Sequence, residues 1–190
     1  MAAYHEPQPR TQPVAVLRTG VEPETDQRAL RDVMAQFATG ITVLTARGSV
    51  AHAMTANAFT SVSLDPPMVL CCVARTARMH ETILDARGFG VSVLSSEQEG
   101  LARYFASRGR PSGMTQFERV DWFPGSQTGV PLLTGSLAWL ECDLKEVYEG
   151  GDHSIFLGLV RSARRGAPGQ ALLFIDGGMH QYEGPAARSA

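Results

Sequence analysis

The sequence predicts a mainly β domain with short helices, in which antiparallel strands form a barrel. Three observations lead to this prediction. The second half of the chain alternates apolar and polar residues with period two, as half-buried strands do. Glycine pairs at Gly150-Gly151 and Gly177-Gly178 interrupt this alternation where hairpin turns are expected. Helical spacing is confined to short segments, which disfavours a doubly wound parallel sheet with long crossover helices.

The first half of the chain should alternate short helices with strands. Asp26 is a good N-cap, and apolar residues at helical spacing follow it until Thr39-Gly40. A hairpin is expected next, with strands over residues 41–46 and 50–54 and a turn between them. The remaining predicted elements are strands over 68–74 and 89–94 and helices over 77–86 and 97–106.

The second half should consist mostly of strands. Apolar residues occupy every second position of one segment, at Ala138, Leu140, Cys142 and Leu144. The other side of this strand, which covers residues 136–148, includes the polar residues Glu141, Asp143 and Lys145, so Glu141 is expected to lie away from the apolar face. The turn at Gly150-Gly151 leads into a strand over 153–161, and a last strand over 171–176 ends at Gly177-Gly178.

Length and charge limit the possible functions. The 190 residues provide room for one domain with a substantial core. With 17 basic and 19 acidic residues and Lys145 as the only lysine, the chain lacks the clustered positive charge of a nucleic-acid binder. The longest apolar run, residues 68–74, is far shorter than the roughly 20 residues that span a bilayer. We therefore expect neither a nucleic-acid partner nor a membrane segment.

The ends of the chain and its cysteines carry little functional signal. Residues 1–25 hold four prolines and little periodic apolar content, which predicts a disordered tail or an arm that wraps a partner subunit. The domain is expected over 26–183, followed by a tail over 184–190. No secretory signal is visible, so the expected location is the cytoplasm. The three cysteines have no disulfide or zinc-site spacing, and we predict buried thiols and no metal site.

Common catalytic motifs are missing from the chain. It has no G-x-G-x-x-G, H-E-x-x-H, C-x-x-C or G-x-S-x-G sequence, so Rossmann nucleotide binding, zinc hydrolysis and serine hydrolysis lose support. One unusual segment remains, residues 54–63, which is rich in small and hydroxyl side chains. We expect a loop there that brings backbone N–H groups and hydroxyls close to a polar ligand. The same composition is also typical of an ordinary turn.

Three segments carry a resemblance to a known family. Residues 37–45 (FATGITVLT), 54–67 (MTANAFTSVSLDPP) and 150–158 (GGDHSIFLG) are similar to segments of the small flavin reductases of two-component monooxygenases. Matching features extend from about Leu30 to Tyr182. The resemblance implies an antiparallel Greek-key split β-barrel that binds flavin and works as a homodimer. It also implies reduction of FAD, or FMN, by NADH, or NADPH, and supply of reduced flavin to a separate monooxygenase.

The resemblance further implies which residues contact the cofactors. Asn57 is expected at the isoalloxazine ring, whose donors and acceptors an amide can match. His153 is the expected catalytic residue, because it would border the nicotinamide and could help protonate reduced flavin. The other implied flavin contacts are Thr55, Ala56, Ala58 and Phe59 near the ring, Ser61, Val62, Thr76, Ala77 and Arg78 toward the ribityl chain and phosphates, and Arg108 and Gly109. The implied second nicotinamide stretch is Gly177, Gly178, Met179 and His180.

Two other functions stay open on sequence alone. A non-catalytic flavin-binding or electron-relay protein would need the 55–63 segment but not the stretches around His153 and His180. An FMN oxidase of the pyridoxamine-phosphate type would need a basic pocket for a substrate phosphate, and the single lysine disfavours it. Hydride transfer between two stacked rings needs no nucleophile or acid–base pair, which agrees with the missing catalytic motifs.

Overall fold

The structure, a computed structural model, describes residues 26–182. Its strands are β1 (Thr39–Gly40), β2 (Thr42–Arg47), β3 (Ala51–Ala56), β4 (Phe59–Leu64), β5 (Pro67–Ala74), β6 (Gly88–Val93), β7 (Trp122–Pro124), β8 (Pro131–Leu133), β9 (Ala138–Gly150), β10 (His153–Arg165), β11 (Ala171–Ile175) and β12 (Gly178–Tyr182). Its helices are α1 (Gln27–Met34), α2 (Arg78–Ala86) and α3 (Glu99–Ala106), with 3-10 helices at Ser96–Gln98 and Gly113–Phe117. The predicted tails, 1–25 and 184–190, lie outside the described residues.

Seven strands form one antiparallel sheet in the order β3-β2-β6-β9-β10-β5-β4. The two edge strands, β3 and β4, are consecutive in the chain and are joined only by Asn57 and Ala58. The sheet therefore curls until its edges meet at this connection, and the barrel stays open where β3 and β4 diverge. β1, β11 and β12 form a second sheet, and β7 pairs with β8. The prediction of a mainly β, antiparallel fold is confirmed.

Two apolar clusters hold the fold together. The first lies inside the barrel, where Phe89 and Phe156 are fully buried and α2 packs against them through Met79 and Ile83. Burial of each such side chain stabilises the fold by about 1.5–3 kcal/mol. The second cluster lies on the outer side of β2 and β3 and is covered by α3 and the following 3-10 helix. The clusters fix the ends of β3, β5 and β10 relative to one another.

The predicted helices and hairpins are confirmed. Asp26 caps α1 by accepting a hydrogen bond from the Ala29 N–H at 2.6 Å. β2 pairs with β3, and β9 pairs with β10 from Ala138 opposite Arg165 to Gly150 opposite His153. Gly151 in this turn has a φ of +72°, a left-handed conformation that favours glycine.

The expected loop over residues 54–63 is wrong. β3 continues to Ala56 and β4 begins at Phe59, so most of the segment is strand. Small and hydroxyl side chains are compatible with strands when neighbouring strands supply the backbone hydrogen bonds, and β5 does so for β4. The strand β12 after Gly177 is a further element that the sequence pattern did not predict.

The expected outer position of Glu141 is also wrong. Its side chain is only 2% exposed and accepts hydrogen bonds from the backbone N–H groups of Ser126, Gln127 and Thr128 at 2.7–3.0 Å. Burial acts to raise the pKa of Glu141, but these hydrogen bonds and the Thr128 hydroxyl outweigh it and hold the pKa below its ordinary value. Glu141 thus fastens the loop before β8 to the sheet.

Candidate functional site

The connection between β3 and β4 presents the only asparagine of the chain. Asn57 and Ala58 are exposed, and the backbone is held by hydrogen bonds from Phe59 N–H to Asn57 O at 2.9 Å and from Cys72 N–H to Ala58 O at 3.0 Å. The amide of Asn57 is thus free to donate and to accept at the opening of the barrel. A ring with mixed donors and acceptors fits this group.

Three neighbours of Asn57 that the resemblance implies as flavin contacts have side chains that face the protein interior or α3. The Thr55 hydroxyl donates to Ala102 O at 2.6 Å and so faces α3. Ala56 is buried, and Phe59 packs against the barrel core. In residues 55–59, therefore, only Asn57 and Ala58 offer exposed side chains to a ligand.

The start of α2 lies beside this connection. β5 ends at Ala74, and the chain turns through Thr76 and Ala77, which is the N-cap residue with extended backbone. Thr76 and Arg78 are exposed. Because no side chain caps this helix end, its free N–H groups and the Arg78 guanidinium together favour an anion such as a phosphate.

The turn between β9 and β10 places His153 at the same end of the barrel. The Nδ1 atom of His153 lies 2.8 Å from Oδ1 of Asp152, and the backbone carbonyl of Asp152 accepts from Arg75 N–H at 3.0 Å. The hydrogen bond from His153, helped by its charge when protonated, lowers the pKa of Asp152. Asp152 therefore holds the ring with Nδ1 as the hydrogen-bond donor, and Nε2 can interact with a ligand.

Strand register brings these three stretches together. His153 pairs with Ala74 of β5, and Phe59 pairs with Cys71 of the same strand. The Asn57-Ala58 connection and His153 therefore flank the end of β5 on its two sides, about 10 Å apart at a strand spacing of about 4.8 Å. Asn57 and His153, which are about 100 positions apart in the sequence, therefore lie at one end of the barrel.

Ser61 and Val62 lie along the exposed edge strand β4. Ser61 pairs with Val69, and the register shifts before Ser63, so Val62 is the extra residue of a bulge. Val62 is 48% exposed. Both residues border the open side of the barrel next to the Asn57 connection.

Arg108 and Gly109 lie near the beginning of β3 instead of its end. They follow α3 and are exposed. Their neighbour Arg110 reaches β3, where it donates to Ala53 O and lies 3.2 Å from Nε2 of His52. Arg110 is a residue that the motif comparison missed, since it has no distinctive spacing in the sequence.

A cationic cluster forms where Arg110 meets β3. The pKa of His52 is lowered to about 4. Burial is the largest cause, and the positive charges of Arg110 and Arg78 add to it. His52 is therefore neutral near pH 7 and accepts a hydrogen bond from Arg110. Among residues 26–182, Nε of Arg110 is buried without a hydrogen-bond partner.

The second nicotinamide stretch belongs to a different sheet. Gly177, Gly178, Met179 and His180 form the turn and first half of β12, which pairs with β11. Met179 packs against the outer apolar cluster, and His180 is exposed. Within the described chain, β12 does not adjoin β10, so the structure does not place His180 beside His153 in one sheet.

The three cysteines lie on β5 and β9 and are free thiols. Burial, the largest cause, raises the pKa of Cys71 above its ordinary value and that of Cys142 to about 12. Cys72 is half-buried, and burial raises its pKa as well. The prediction of buried thiols is confirmed for Cys71 and Cys142, whereas Cys72 is only partly buried.

Within residues 26–182, no group of three or more His, Cys, Asp or Glu side chains is arranged to hold a metal ion. No helix in the same range is long and apolar enough to cross a membrane.

An antiparallel barrel left open between two edge strands, with an amide, a helix start and an oriented histidine at that opening, defines a protein of the flavin-binding split-barrel class. Residues 34–183 match the model of the flavin reductase like domain, and the chain belongs to this family. The predicted family is thereby confirmed.

Individual relatives agree with this membership. An NADH-dependent FAD reductase of Streptomyces globisporus is 48% identical over 162 residues, which cover 85% of this chain and 88% of the relative. HsaB of Rhodococcus jostii, the reductase subunit of a flavin-dependent monooxygenase, is 38% identical over 84% of this chain and 78% of its own. The crystal structure of BorF, the flavin reductase component of a bacterial two-component tryptophan halogenase, superposes with a TM-score of 0.79 at 49% identity, covering 82% of this chain and 98% of BorF.

Proposed function

We propose that this protein is an NADH-dependent flavin reductase that transfers a hydride from NADH to FAD and releases the reduced flavin to a separate monooxygenase. The observation that carries the proposal is the convergence of Asn57, the start of α2 and His153 at the opening of the barrel. The name of the relative that is 48% identical supports both the donor and the acceptor. A cytoplasmic location is part of the proposal.

Asn57 and Arg78 are the groups that would hold the flavin. The exposed amide of Asn57 matches the alternating donors and acceptors of an isoalloxazine edge. The Arg78 guanidinium and the uncapped first turn of α2 suit the flavin phosphate. When bound, the flavin supplies the hydride acceptor, and the chain positions the two rings and excludes water between them.

His153 is the proposed catalytic residue. With Nδ1 directed at Asp152, Nε2 accepts a hydrogen bond from a nicotinamide carboxamide while the ring is neutral, and it donates a proton when the ring is charged. The pair thus orients the hydride donor and assists protonation after transfer.

We also propose that the active form is a homodimer. α1 and the residues just after it expose an apolar face made of Leu30, Val33, Met34 and Phe37, each more than half exposed. The proposed nicotinamide stretches around His153 and His180 lie in separate sheets of one chain. A second copy would cover the apolar face and supply further surface to the open site.

The central test is steady-state oxidation of NADH with FAD and with FMN as acceptor. We expect turnover with FAD, and the purified wild type should produce reduced flavin that a monooxygenase can use. Absence of NADH and NADPH oxidation with any flavin would overturn the enzyme proposal and favour a flavin-binding or electron-relay protein.

The site assignment is tested by Asn57→Ala and His153→Ala. Loss of the amide should weaken flavin binding about tenfold, because one or two hydrogen bonds are lost. Loss of the imidazole should lower kcat at least about tenfold with a smaller change in flavin KM. Because Asn57 is the only asparagine, ¹⁵N-asparagine labelling gives one side-chain amide signal, and an unchanged signal at saturating flavin would contradict the ring assignment.

A further inference from the structure

His80 is a half-buried histidine of α2 to which the proposed reaction gives no role. Its Nε2 atom lies 2.9 Å from the hydroxyl oxygen of Ser154 on β10. Its ring also meets the ring of Phe156 edge-on, with the two centroids 5.1 Å apart. His80 therefore joins the first turn of α2 to two buried residues of β10.

The hydrogen bond between His80 and Ser154 persists whether the imidazole is neutral or charged. A hydroxyl donates to an unprotonated ring nitrogen and accepts from a protonated one. Ser154 is only 6% exposed, so removal of the imidazole leaves a buried hydroxyl without this partner. The contact is thus a fixed link between a helix and a strand.

Ser154 directly follows His153, the proposed catalytic residue. Consecutive residues of a strand point to opposite faces, so Ser154 points into the barrel while the His153 side chain, 44% exposed, points outward. The residue before His153 is held as well, because Asp152 O accepts from Arg75 N–H at 3.0 Å. The backbone on both sides of His153 is therefore fastened to one segment, residues 75–80.

The same segment carries the groups that are proposed to hold the flavin phosphate. Thr76 and Arg78 lie between its two contacts with the His153 turn. The backbone of this segment is itself ordered by a hydrogen bond from His80 N–H to Ala77 O at 2.9 Å. A shift of β10 relative to α2 would therefore move His153 relative to a bound flavin, and a misplacement of about 1 Å can slow a reaction about 100-fold.

We propose that His80 is a positioning residue for hydride transfer. Through Ser154 it fixes His153, and with it the nicotinamide, relative to the flavin held at the start of α2. His80 acts through this link and not by contact with the reacting atoms. The proposal rests on the proposed flavin reductase function and adds a residue that the resemblance did not include.

The test is a double-mutant cycle on kcat with FAD as the acceptor, built in the full-length protein from His80→Phe and Ser154→Ala. Phenylalanine keeps an aromatic ring against Phe156 and removes the hydrogen bond. We expect each single variant and the double variant to lower kcat by the same factor, about tenfold, while the KM of FAD changes less than threefold. His80→Gln should recover at least about half of the wild-type kcat, because its amide can replace Nε2 as the partner of Ser154.

Ser136→Ala is the matched control for a loss of stability alone. Ser136 is 2% exposed, and its hydroxyl donates to Oε1 of Gln98 at 3.1 Å. It precedes β9, whose other end leads to the His153 turn. Ser136→Ala and Ser154→Ala should lower the unfolding temperature similarly, but only Ser154→Ala should lower kcat. Losses that multiply in the double variant, or an equal loss of kcat in Ser136→Ala, would overturn the proposal.

A measurement without turnover distinguishes this proposal from the reductase function. The chain has five histidines, and the ring ¹⁵N signal of His153 is identified by its absence from His153→Gln. This signal should shift in His80→Phe and keep its wild-type position in His80→Gln. A wild type that oxidises no NADH would contradict the reductase function, whereas an unmoved His153 signal in His80→Phe would contradict the positioning role. If His80→Phe does not fold, the comparison of kcat between Ser154→Ala and Ser136→Ala decides.

Discussion

His52 illustrates how neighbouring side chains decide the charge of one residue. The sequence places it on the strand that leads to Asn57 but does not show whether it is charged. Arg110, 58 positions further along the chain, lies 3.2 Å from its ring. Burial, Arg110 and Arg78 together lower the pKa of His52 to about 4, so the neutral ring serves as an acceptor in a cationic region.

We expect His52 to make the stability of the protein depend on pH. Its pKa in the folded state, about 4, lies below the ordinary value of 6.5, so the unfolded chain binds the additional proton between these values. Its contribution to the free energy of unfolding is complete above pH 6.5 and is lost as the pH falls toward 4. Because the ring is half-buried and partly screened, the loss should be roughly 1–2 kcal/mol.

Urea unfolding at pH 7.5 and pH 4.5 measures this effect in the wild type and in His52→Gln. The glutamine keeps an acceptor for Arg110 but does not titrate, so the variant should lose less stability on acidification. An identical pH dependence in both proteins would show that His52 is not the titrating group.

At the scale of elements, β3 is an edge strand, and the side chain of Gln116 covers part of its free edge. The amide nitrogen of Gln116 donates to Ala51 O at 3.1 Å, and its oxygen accepts from Ala53 N–H at 3.0 Å. Gln116 is only 1% exposed. It replaces the hydrogen bonds that a further strand would make and protects an edge next to the candidate site.

Replacing this amide should destabilise the protein. Gln116→Leu leaves a buried N–H and a buried carbonyl of β3 without partners, and we expect a loss of about 2–4 kcal/mol in the free energy of unfolding. Guanidinium unfolding measures it, with Gln127→Leu as the control. The Gln127 side chain is exposed, so Gln127→Leu should change the free energy of unfolding by less than about 0.5 kcal/mol. Equal effects of the two substitutions would contradict the edge-covering role.

The elements also show where sequence patterns succeed and where they fail. α1, the β2–β3 hairpin and the β9–β10 hairpin are predicted well, because an N-cap, helical spacing and glycine turns are local signals. The pattern predicts a loop where β4 lies, because the small residues of β4 satisfy their backbone groups only through β5. The pattern also predicts an outer Glu141, because the hydrogen-bond partners of Glu141 lie in a loop 13–15 residues earlier.

At the scale of the whole molecule, α1 is an eight-residue helix with no buried residue. A helix this short is marginal by itself. Its C-terminal end is held by a hydrogen bond from Asp176 N–H to Ala35 O at 2.6 Å, yet Val33 is 68% exposed and Phe37 is 64% exposed. In the proposed homodimer, a second copy of the chain would cover this face.

Val33→Asp should therefore dissociate the dimer. Light scattering after size-exclusion chromatography is expected to give twice the chain mass of 20.5 kDa for the wild type and a single chain mass for the variant. Leu84→Asp is the control, because Leu84 is a 39% exposed apolar residue of another helix, α2. A monomeric wild type, or a dimer that survives Val33→Asp, would contradict this interface.

The sequence by itself determined the fold class, most of the strands and helices, and the three segments that resemble flavin reductases. These features follow from periods of two and 3.6 residues and from short motifs, which are properties of neighbouring positions. The tertiary structure alone decided that Asn57 joins the two edges of the barrel, that Glu141 is buried, and that Arg110 contacts His52. Each of these depends on how the sheet curls and which strands pair, and such long-range contacts leave no periodic signal in the chain.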